Sequence, residues 1–301
     1  MTHPILKALA DFEGGGVPHR FAARQPWMAS DLLLSGIPGF SFLDRVRLAA
    51  SERQSLASSA DAIQLKNDMT RLRAFYLGEN PRCVKIVSNR HSIADRTREE
   101  LDLRRRLEGY GTITLPTVRD VREDKDFIYI TEDLVKGRRF SLGRDGDMFI
   151  EQGLPQLLET YRRHGIVLEP LRGHFSADMK ISAPPLFLKM LEKAFVDNPA
   201  IPVSICHGDL LPSNLCVSGG RLYFFDWEKS FRGPVIADLM RLPMKYPARA
   251  VKMAKAVLKL LEKDYAAGLG HSFTACVAAR IAQTPSKSGA FLDFWEKCRP
   301  L

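Results

Sequence analysis

From Ser204 to Val217 the chain reads SICHGDLLPSNLCV, in which H-G-D-x-x-x-x-N lies between two apolar flanks. A second apolar stretch follows within a few residues and ends in two acids, Asp226 and Glu228. Asp209, Asn214 and Asp226 can meet at one point, because only a short predicted hairpin separates the two segments. Phosphoryl transfer requires such a set, namely one carboxylate for a hydroxyl nucleophile and oxygen ligands for magnesium.

The composition is that of an ordinary globular protein, with 301 residues of which 45% are hydrophobic and 26% charged. No apolar run reaches the roughly 18 residues that a membrane-spanning helix needs, and the first residues show no secretory signal. The five cysteines are scattered and form no C-x-x-C pair. This pattern argues against a disulfide framework and against a zinc site, and it favours the cytoplasm.

The net charge of +9 favours polyanionic partners such as nucleotides or phosphorylated sugars. No motif of a nucleic-acid-binding module occurs, so no nucleic-acid partner is expected. Lysines at positions 252, 255, 259 and 263 form a stripe on a predicted helix. A solvated helix face explains the stripe most simply, although a site for an anionic substrate or peripheral contact with a membrane surface stays open. The oligomeric state stays open as well.

Periodicity predicts an N-terminal extension over residues 1–60, a small β-rich lobe over 61–137 and a helical lobe over 138–301. The small lobe has predicted strands at 62–66, 71–77, 83–87, 118–122 and 127–131, and a helix at 92–107. The large lobe has predicted helices at 148–163, 185–196, 247–267, 272–283 and 289–298, interrupted by short strands within 203–217 and 222–227. A further helix is predicted for 45–60. Because a β-rich lobe precedes a mainly helical one, the predicted fold class is α+β.

Both motifs resemble those of the aminoglycoside phosphotransferase and choline kinase-like superfamily, relatives of the protein kinases. The resemblance covers roughly residues 61–242 of this chain. That family carries H-G-D-x-x-x-x-N followed by an acidic motif of the I-D-[WF]-E type, at the spacing found here. The resemblance implies a two-lobed protein kinase-like fold, with ATP as the phosphoryl donor and Mg²⁺ as the cofactor. It also implies that the acceptor is a hydroxyl of a small molecule.

The resemblance implies a role for each matching residue. Asp209 would be the catalytic residue that positions the acceptor hydroxyl, and Asn214 and Asp226 would bind Mg²⁺ on the nucleotide phosphates. His207 would be a structural member of the loop, and Glu228 would join the metal or substrate network. A chance H-G-D turn is the alternative, and the register of Asn214, Asp226 and the apolar flanks argues against it.

Lys85 occupies the position of the family's nucleotide-binding lysine, between Val84 and Ile86 on the third predicted strand. A lysine between apolar strand residues needs an anionic partner if it points inward. Glu100 on the following helix would be that partner, and Glu99 is the rival assignment. Alternatively, Lys85 is a solubilising charge on an edge strand and Glu100 is a solvated helix residue.

Three further positions follow from the resemblance. The G-x-G-x-x-G loop of protein kinases is absent here, so the turn at 67–70 would contact the phosphates through backbone N–H groups or the Thr70 hydroxyl. The stretch Glu132–Leu134 would connect the lobes and hold the adenine through backbone groups. Asp238, in a G-x-x-x-x-D-L segment, would brace the catalytic loop, with an ordinary helix N-cap as its alternative role.

The acceptor cannot be read from the sequence. A sugar or amino sugar is favoured, with choline-like and lipopolysaccharide-core acceptors as alternatives. An amino sugar or choline would need an acidic pocket, which the net charge of +9 does not indicate, and a positive potential around Asp209 would favour an anionic acceptor. A catalytically inactive kinase-like binding or scaffold protein is the alternative from another class. The joint presence of Lys85, Asp209, Asn214 and Asp226 argues against it.

Overall fold

A computed structural model describes residues 21–23, 62–65, 71–76, 78–89, 92–125 and 127–299, which divide into two compact units. The strand-rich unit contains the described residues up to Arg106, together with Thr114–Arg139 and Leu215–Glu228. The helical unit contains Leu107–Ile113, Phe140–Asn214 and the described residues from Lys229 onward. The α+β class is confirmed. The helix predicted at 45–60 and the turn containing Thr70 lie outside the described residues.

The strand-rich unit is built on one antiparallel sheet. Its strands are β1 (Phe21–Ala23), β2 (Ala62–Leu65), β3 (Arg71–Tyr76), β4 (Arg82–Ser88), β5 (Val118–Glu123) and β6 (Phe127–Asp133). They lie in the order β1-β2-β3-β4-β6-β5, so the five predicted strands are confirmed and β1 is an addition. β1 is only three residues long, and a strand of that length carries no readable alternation in the sequence.

Helix α1 (Ile93–Tyr110) follows β4 and confirms the helix predicted at 92–107. Its buried positions recur every three or four residues, which is the spacing of one helix face. Ala94 and Leu101 on that face pack with Val87, Ile128 and Ile130 of the sheet in one apolar cluster. The cluster fixes α1 against β4 and β6, the two strands that carry the charged residues discussed below.

A second sheet in the same unit consists of β7 (Arg138–Arg139), β10 (Leu215–Ser218) and β11 (Arg221–Phe224), in the order β11-β10-β7. The hairpin between β10 and β11 turns at Gly219-Gly220, whose φ values of +54° and +74° suit a two-residue turn with both residues left-handed. Because β10 pairs with β7, the segment Leu215–Glu228 groups with the strand-rich unit. The sequence alone had placed this segment within the helical lobe.

The helical unit contains a three-stranded antiparallel sheet of β8 (Val167–Pro170), β9 (Ala200–Cys206) and β12 (Phe231–Pro234), in the order β12-β9-β8. Its helices are α2 (Leu142–Met148), α3 (Leu154–His164), α4 (Pro185–Asp197), α5 (Val235–Leu239), α6 (Arg241–Lys245), α7 (Val251–Tyr265), α8 (Leu269–Gln283) and α9 (Ser288–Cys298). The edge-to-face pair of Phe187 and Trp295 joins α4 to α9. None of the helices in the described ranges has the length and apolarity needed to span a bilayer.

The helix predicted at 148–163 is confirmed as α-helix from Leu154 onward, and its first part is a π-helical turn. α2 ends at Met148, a π-helical turn covers Phe149–Gly153, and α3 begins at Leu154. Pro155 explains the break, because a proline lacks the N–H that a continuous α-helix would bond four residues back. Within α3, Leu154, Leu157, Leu158 and Tyr161 are buried, which is the i, i+3, i+4, i+7 pattern of a core-facing helix.

Candidate active site

The loop that contains Asp209 leaves the buried central strand β9 and is held by Asp238. One carboxylate oxygen of Asp238, Oδ2, accepts a hydrogen bond from the backbone N–H of His207 (2.7 Å), and Oδ1 accepts one from Gly208 (2.9 Å). The hydroxyl of Tyr161, on α3, donates a third to Oδ2 (2.5 Å). Burial, and in addition the charge of Asp238, raises the pKa of Tyr161 well above its usual value, so this hydroxyl stays a donor.

Asp238 therefore braces the loop that contains Asp209. It lies inside α5 as the fourth residue of that helix, and Pro234 occupies the N-cap position. The alternative role as an ordinary N-cap is wrong, because the side chain bonds to a neighbouring loop rather than to the first turn of its own helix. His207 is fully buried, and its Nδ1 accepts a hydrogen bond from the backbone N–H of Asp209 (3.3 Å).

Gly208 has φ of +78°, and a Cβ atom at this position would overlap the backbone carbonyl oxygen of Lys229. We expect Gly208→Ala to destabilise the fold by more than the roughly 1–2 kcal/mol that a left-handed alanine costs, because the Lys229 backbone must also shift. Gly220→Ala is the matched control, since Gly220 has φ of +74° and nothing within 4 Å of the added methyl. Urea unfolding measures both variants, and equal losses in the two would contradict the close contact.

Asn214 closes the loop from its other end. The short 3₁₀ turn Pro212–Asn214 buries the side chain, and its Nδ2 donates a hydrogen bond to the backbone oxygen of Asp209 (2.8 Å). This bond uses the amide nitrogen and leaves Oδ1 as the atom suited to a metal ion. Asp209, Asn214, His207 and Asp238 are thus brought together within the helical unit.

Two basic side chains contact the Asp209 carboxylate directly. The ammonium of Lys229 lies 2.9 Å from Oδ2, and the guanidinium of Arg241 lies 2.9 Å from Oδ1. Burial would raise the pKa of Asp209, but the hydrogen bonds from Lys229 and Arg241 outweigh it and lower the pKa below its usual value. The carboxylate is therefore ionised at neutral pH.

The sequence analysis missed Lys229 and Arg241. The only signal for Lys229 was its place directly after the acidic motif. The signal for Arg241 was its place three residues after Asp238, which is close to one helical turn.

In the strand-rich unit, Lys85 pairs with Glu132. The ammonium of Lys85 lies 2.8 Å from Oε1 of Glu132, and Arg104 of α1 lies 2.8 Å from Oε2. The strand register explains the first pair, because Lys85 stands opposite Ile130 and Cys83 stands opposite Glu132 in neighbouring strands. Residues two apart on a strand share a face, so Lys85 and Glu132 are diagonal neighbours within reach of each other.

This arrangement corrects two expectations. Lys85 was expected to pair with Glu100, and the structure pairs it with Glu132 instead. Glu132 was expected in the connector between lobes, but β6 extends to Asp133 and Glu132 is a buried strand residue. Glu100 faces inward on α1 while Glu99 is exposed, and within the described part of the chain Oε1 of Glu100 has no hydrogen-bond partner.

Burial would raise the pKa of Glu132, but the charges of Lys85, Arg104 and Arg73 reverse this and lower the pKa from 4.5 to about 2. An acid whose pKa is lowered in the folded state contributes stability above its unfolded pKa. We therefore expect this contribution to be complete above about pH 4.5 and to disappear as the pH falls towards 2.

Replacing Glu132 by glutamine tests the same interaction at neutral pH. We expect Glu132→Gln to cost roughly 3–5 kcal/mol in the free energy of unfolding, because it leaves the buried Arg104 and the partly buried Lys85 without their anion. Glu100→Gln is the matched control and should be nearly neutral, because Oε1 of Glu100 lacks a partner that the change could remove. Urea unfolding at pH 7 separates the two variants. A larger loss in Glu100→Gln would restore the expected role of Glu100.

Asp226 and Glu228 follow β11 in the strand-rich unit. Asp226 has φ of +62°, an uncommon backbone conformation for a residue with a side chain. Such residues occur preferentially at functional sites, where the surrounding structure holds them. Glu228 lies in the 3₁₀ turn Trp227–Lys229, which is anchored by the buried Trp227.

The residues expected to bind Mg²⁺ are few but suitable. In the described ranges, no group of three or more His, Cys, Asp or Glu side chains could hold a metal ion. Magnesium on a nucleotide needs only one or two protein side chains, since phosphate oxygens and water complete its shell. The amide oxygen of Asn214 and the carboxylate of Asp226 have the oxygen chemistry that this mode of binding requires.

Comparisons with known proteins agree with the motif resemblance. Residues 167–270 match the model of the phosphotransferase enzyme family (APH), a range that includes Asp209, Asn214, Asp226 and Asp238. The match confirms the resemblance to the phosphotransferase superfamily. No curated protein matches the chain.

Among solved structures, three illustrate the likeness. Amicoumacin kinase hAmiN in complex with AMP-PNP, Ca²⁺ and Ami has 14% identity, covers 78% of this chain and 87% of that chain, and has a TM-score of 0.45. A choline/ethanolamine kinase family protein from Mesorhizobium loti has 16% identity, covers 84% of this chain and 91% of that chain, and has a TM-score of 0.46. An aminoglycoside-3'-phosphotransferase of type VIII has 17% identity, covers 76% of this chain and 90% of that chain, and has a TM-score of 0.40.

Proposed function

We propose that this protein is an ATP-dependent phosphotransferase that transfers the γ-phosphoryl group to a hydroxyl of a small molecule. The observation that carries the proposal is the Asp209 carboxylate, which is ionised by its contacts and placed on a loop fixed by Asp238 and Asn214. Phosphoryl transfer depends mainly on positioning and charge neutralisation. A rigid loop with an ionised carboxylate meets the first requirement.

Asp209 would accept a hydrogen bond from the acceptor hydroxyl and aim its oxygen at the γ-phosphorus. The oxygen–phosphorus bond forms as the bond to the β-phosphate oxygen breaks, ADP leaves, and the hydroxyl proton passes to Asp209. A lowered pKa makes Asp209 a weak base. This is compatible with the reaction, because in a loose transition state little charge develops on the attacking oxygen before the transfer.

The remaining residues would serve the nucleotide. Lys85 would bind its phosphates, with Glu132 fixing the ammonium at 2.8 Å and Arg104 holding Glu132 from the other side. Asn214 and Asp226 would hold Mg²⁺, which neutralises phosphate charge when bound. Thr70 stays a proposed phosphate contact, and Glu228 a proposed member of the same network. We also propose a cytoplasmic location, which the burial of all five cysteines as thiols supports.

A screen of ATP consumption tests the function, with sugar, amino-sugar, choline-like and nucleoside acceptors offered in the presence of Mg²⁺. We expect turnover with at least one class, and its loss in Asp209→Asn. A binding or scaffold protein is the second candidate. No turnover in any acceptor class, together with no thermal shift from Mg·ATP, would favour this second candidate.

A further inference from the structure

Phe231 differs from the other phenylalanines in being exposed. It lies on β12, an edge strand of the three-stranded sheet, and keeps 45% of its surface accessible to solvent. Every other phenylalanine whose burial the structure describes is buried or half-buried. A single exposed apolar side chain is common on protein surfaces, so the neighbours of Phe231 decide whether it has a role.

Two glycines hold the Phe231 ring against the loop that contains Asp209. Phe231 and Gly233 lie on the same face of β12, and a Cβ atom on Gly233 would overlap the ring. A Cβ atom on Gly208 would lie 3.2 Å from Cδ1 of the same ring. Because both glycines lack a side chain, the ring lies close to the backbone of the residue that directly precedes Asp209.

Lys229 lies against the same part of the loop. Its backbone carbonyl packs on Gly208, and its ammonium contacts Oδ2 of Asp209 at 2.9 Å. The Lys229 side chain is 58% exposed, and its ammonium has three N–H donors, of which the contact with Asp209 uses one. An exposed aromatic ring, an exposed ammonium and the reacting carboxylate therefore lie around Gly208.

These three groups match the two kinds of surface on a sugar ring. The C–H faces of such a ring are flat and apolar, so one face can bury apolar surface against Phe231. The hydroxyls project from its edge, where they can accept hydrogen bonds from Lys229 and donate one to Asp209. A choline-like cation can also contact an aromatic face, but here it would meet Lys229 and Arg241 on both oxygens of Asp209.

We propose that Phe231 and Lys229 form the acceptor subsite, and that the acceptor is a sugar whose ring lies on Phe231 while one of its hydroxyls reaches Asp209. The inference rests on the proposed function and deepens it by naming the residues that select the acceptor and the kind of acceptor they select. Phe231 determines specificity for a ring over an open chain. Lys229 binds hydroxyls at the edge of that ring.

A tryptophan at the position of Phe231 reports on this subsite without turnover. Trp227 and Trp295 are buried, so the fluorescence that Phe231→Trp adds to the wild-type spectrum comes from an exposed side chain. We expect glucose or galactose to change this added fluorescence saturably. Sorbitol and galactitol, the open-chain alcohols of these sugars, should leave it unchanged. No response to either sugar, an equal response to the alcohols, or a response to choline alone would overturn the proposal.

Lys229→Met in the Phe231→Trp background tests the contact with the hydroxyls. We expect the Kd for the sugar to rise about tenfold, because a hydrogen bond from a charged donor is lost. Lys297→Met is the matched control, since Lys297 is 56% exposed and its ammonium contacts the carboxylate of Asp293 at 2.7 Å. An unchanged Kd in Lys229→Met, or an equal rise in both variants, would overturn the assignment of Lys229.

Steady-state kinetics with the best ring acceptor separate binding from a structural role. Phe231→Leu keeps an apolar side chain over both glycines and removes the flat ring. We expect it to raise KM for the acceptor about 3–10-fold and to leave kcat and the KM for ATP largely unchanged. Phe231→Tyr keeps the ring and should retain the wild-type KM. Equal effects of leucine and tyrosine, or a loss in kcat alone, would overturn the role of Phe231.

A failure of this subsite is distinguishable from a failure of the phosphotransferase function. A fluorescence response to ring sugars without turnover of ATP would remove the function and keep the subsite. Turnover of a choline-like acceptor without any fluorescence response to sugars would keep the function and remove the subsite. If no acceptor is turned over, the fluorescence comparison decides alone.

Discussion

Asp209→Asn should lower kcat by about 10²–10⁴-fold, the range that general acid–base residues contribute. The change keeps the size of the side chain and removes the negative charge that orients the acceptor hydroxyl and receives its proton. The loop should keep its conformation, because Asp238 and Asn214 hold it through backbone atoms that the substitution does not alter. The loss is therefore expected mainly in kcat, with a smaller loss of stability from the weakened contacts with Lys229 and Arg241.

Rates of ADP formation, measured with the best acceptor from the screen, check this prediction alongside thermal unfolding of the same samples. Glu192→Gln is the matched control, since it makes the same change of carboxylate to amide at an exposed position of α4. We expect the control to retain wild-type kcat. If Asp209→Asn keeps more than about a tenth of the wild-type rate, Asp209 does not have the role proposed for it.

Asp238→Ala should have the largest effect on stability. It leaves the amides of His207 and Gly208 and the hydroxyl of Tyr161 as buried donors without an acceptor. Each such group costs roughly 1–3 kcal/mol, so the expected loss in the free energy of unfolding is about 4–6 kcal/mol. Natural domains have about 5–15 kcal/mol in total, so this variant should be close to unfolding at room temperature.

Tyr161→Phe divides this effect into parts. It removes one of the three donors and leaves the carboxylate bonded to two amides, so we expect a loss of about 1.5–3 kcal/mol. Asp197→Ala is the control, an exposed carboxylate paired with His271 whose removal should change stability by less than about 0.5 kcal/mol. Urea unfolding followed by tryptophan fluorescence measures all three variants. Similar losses in Asp238→Ala and Asp197→Ala would show that the brace is not needed.

The sequence predicted the parts of the candidate site that are close together in the chain. The spacing of Asp209 to Asn214, and the second acidic motif with Asp238 beyond it, could be recognised without any knowledge of tertiary structure. The strands and helices with long, regular patterns were also predicted. Helix α2 was not, because Gly143 and Gly146 weaken the helical signal in a short segment.

The partners of the key charges could not be predicted in the same way. The choice of Glu132 over Glu100 for Lys85 depends on the register between β4 and β6, which a single sequence does not reveal. The contacts of Lys229 and Arg241 with Asp209 depend on how three separate segments pack. These are the contacts that lower the pKa of Asp209, so the sequence alone could not predict the electrostatic surroundings of this carboxylate.

The pairing of β10 with β7 has a consequence for how this protein can be divided. The chain leaves the helical unit after Asn214, contributes β10, β11 and Asp226 to the strand-rich unit, and returns at Lys229. A fragment that stops at residue 139 would lack both strands of that hairpin and the Asp226 carboxylate. Each unit is thus built from segments that alternate along the sequence. No single contiguous fragment of the chain therefore contains one whole unit without part of the other.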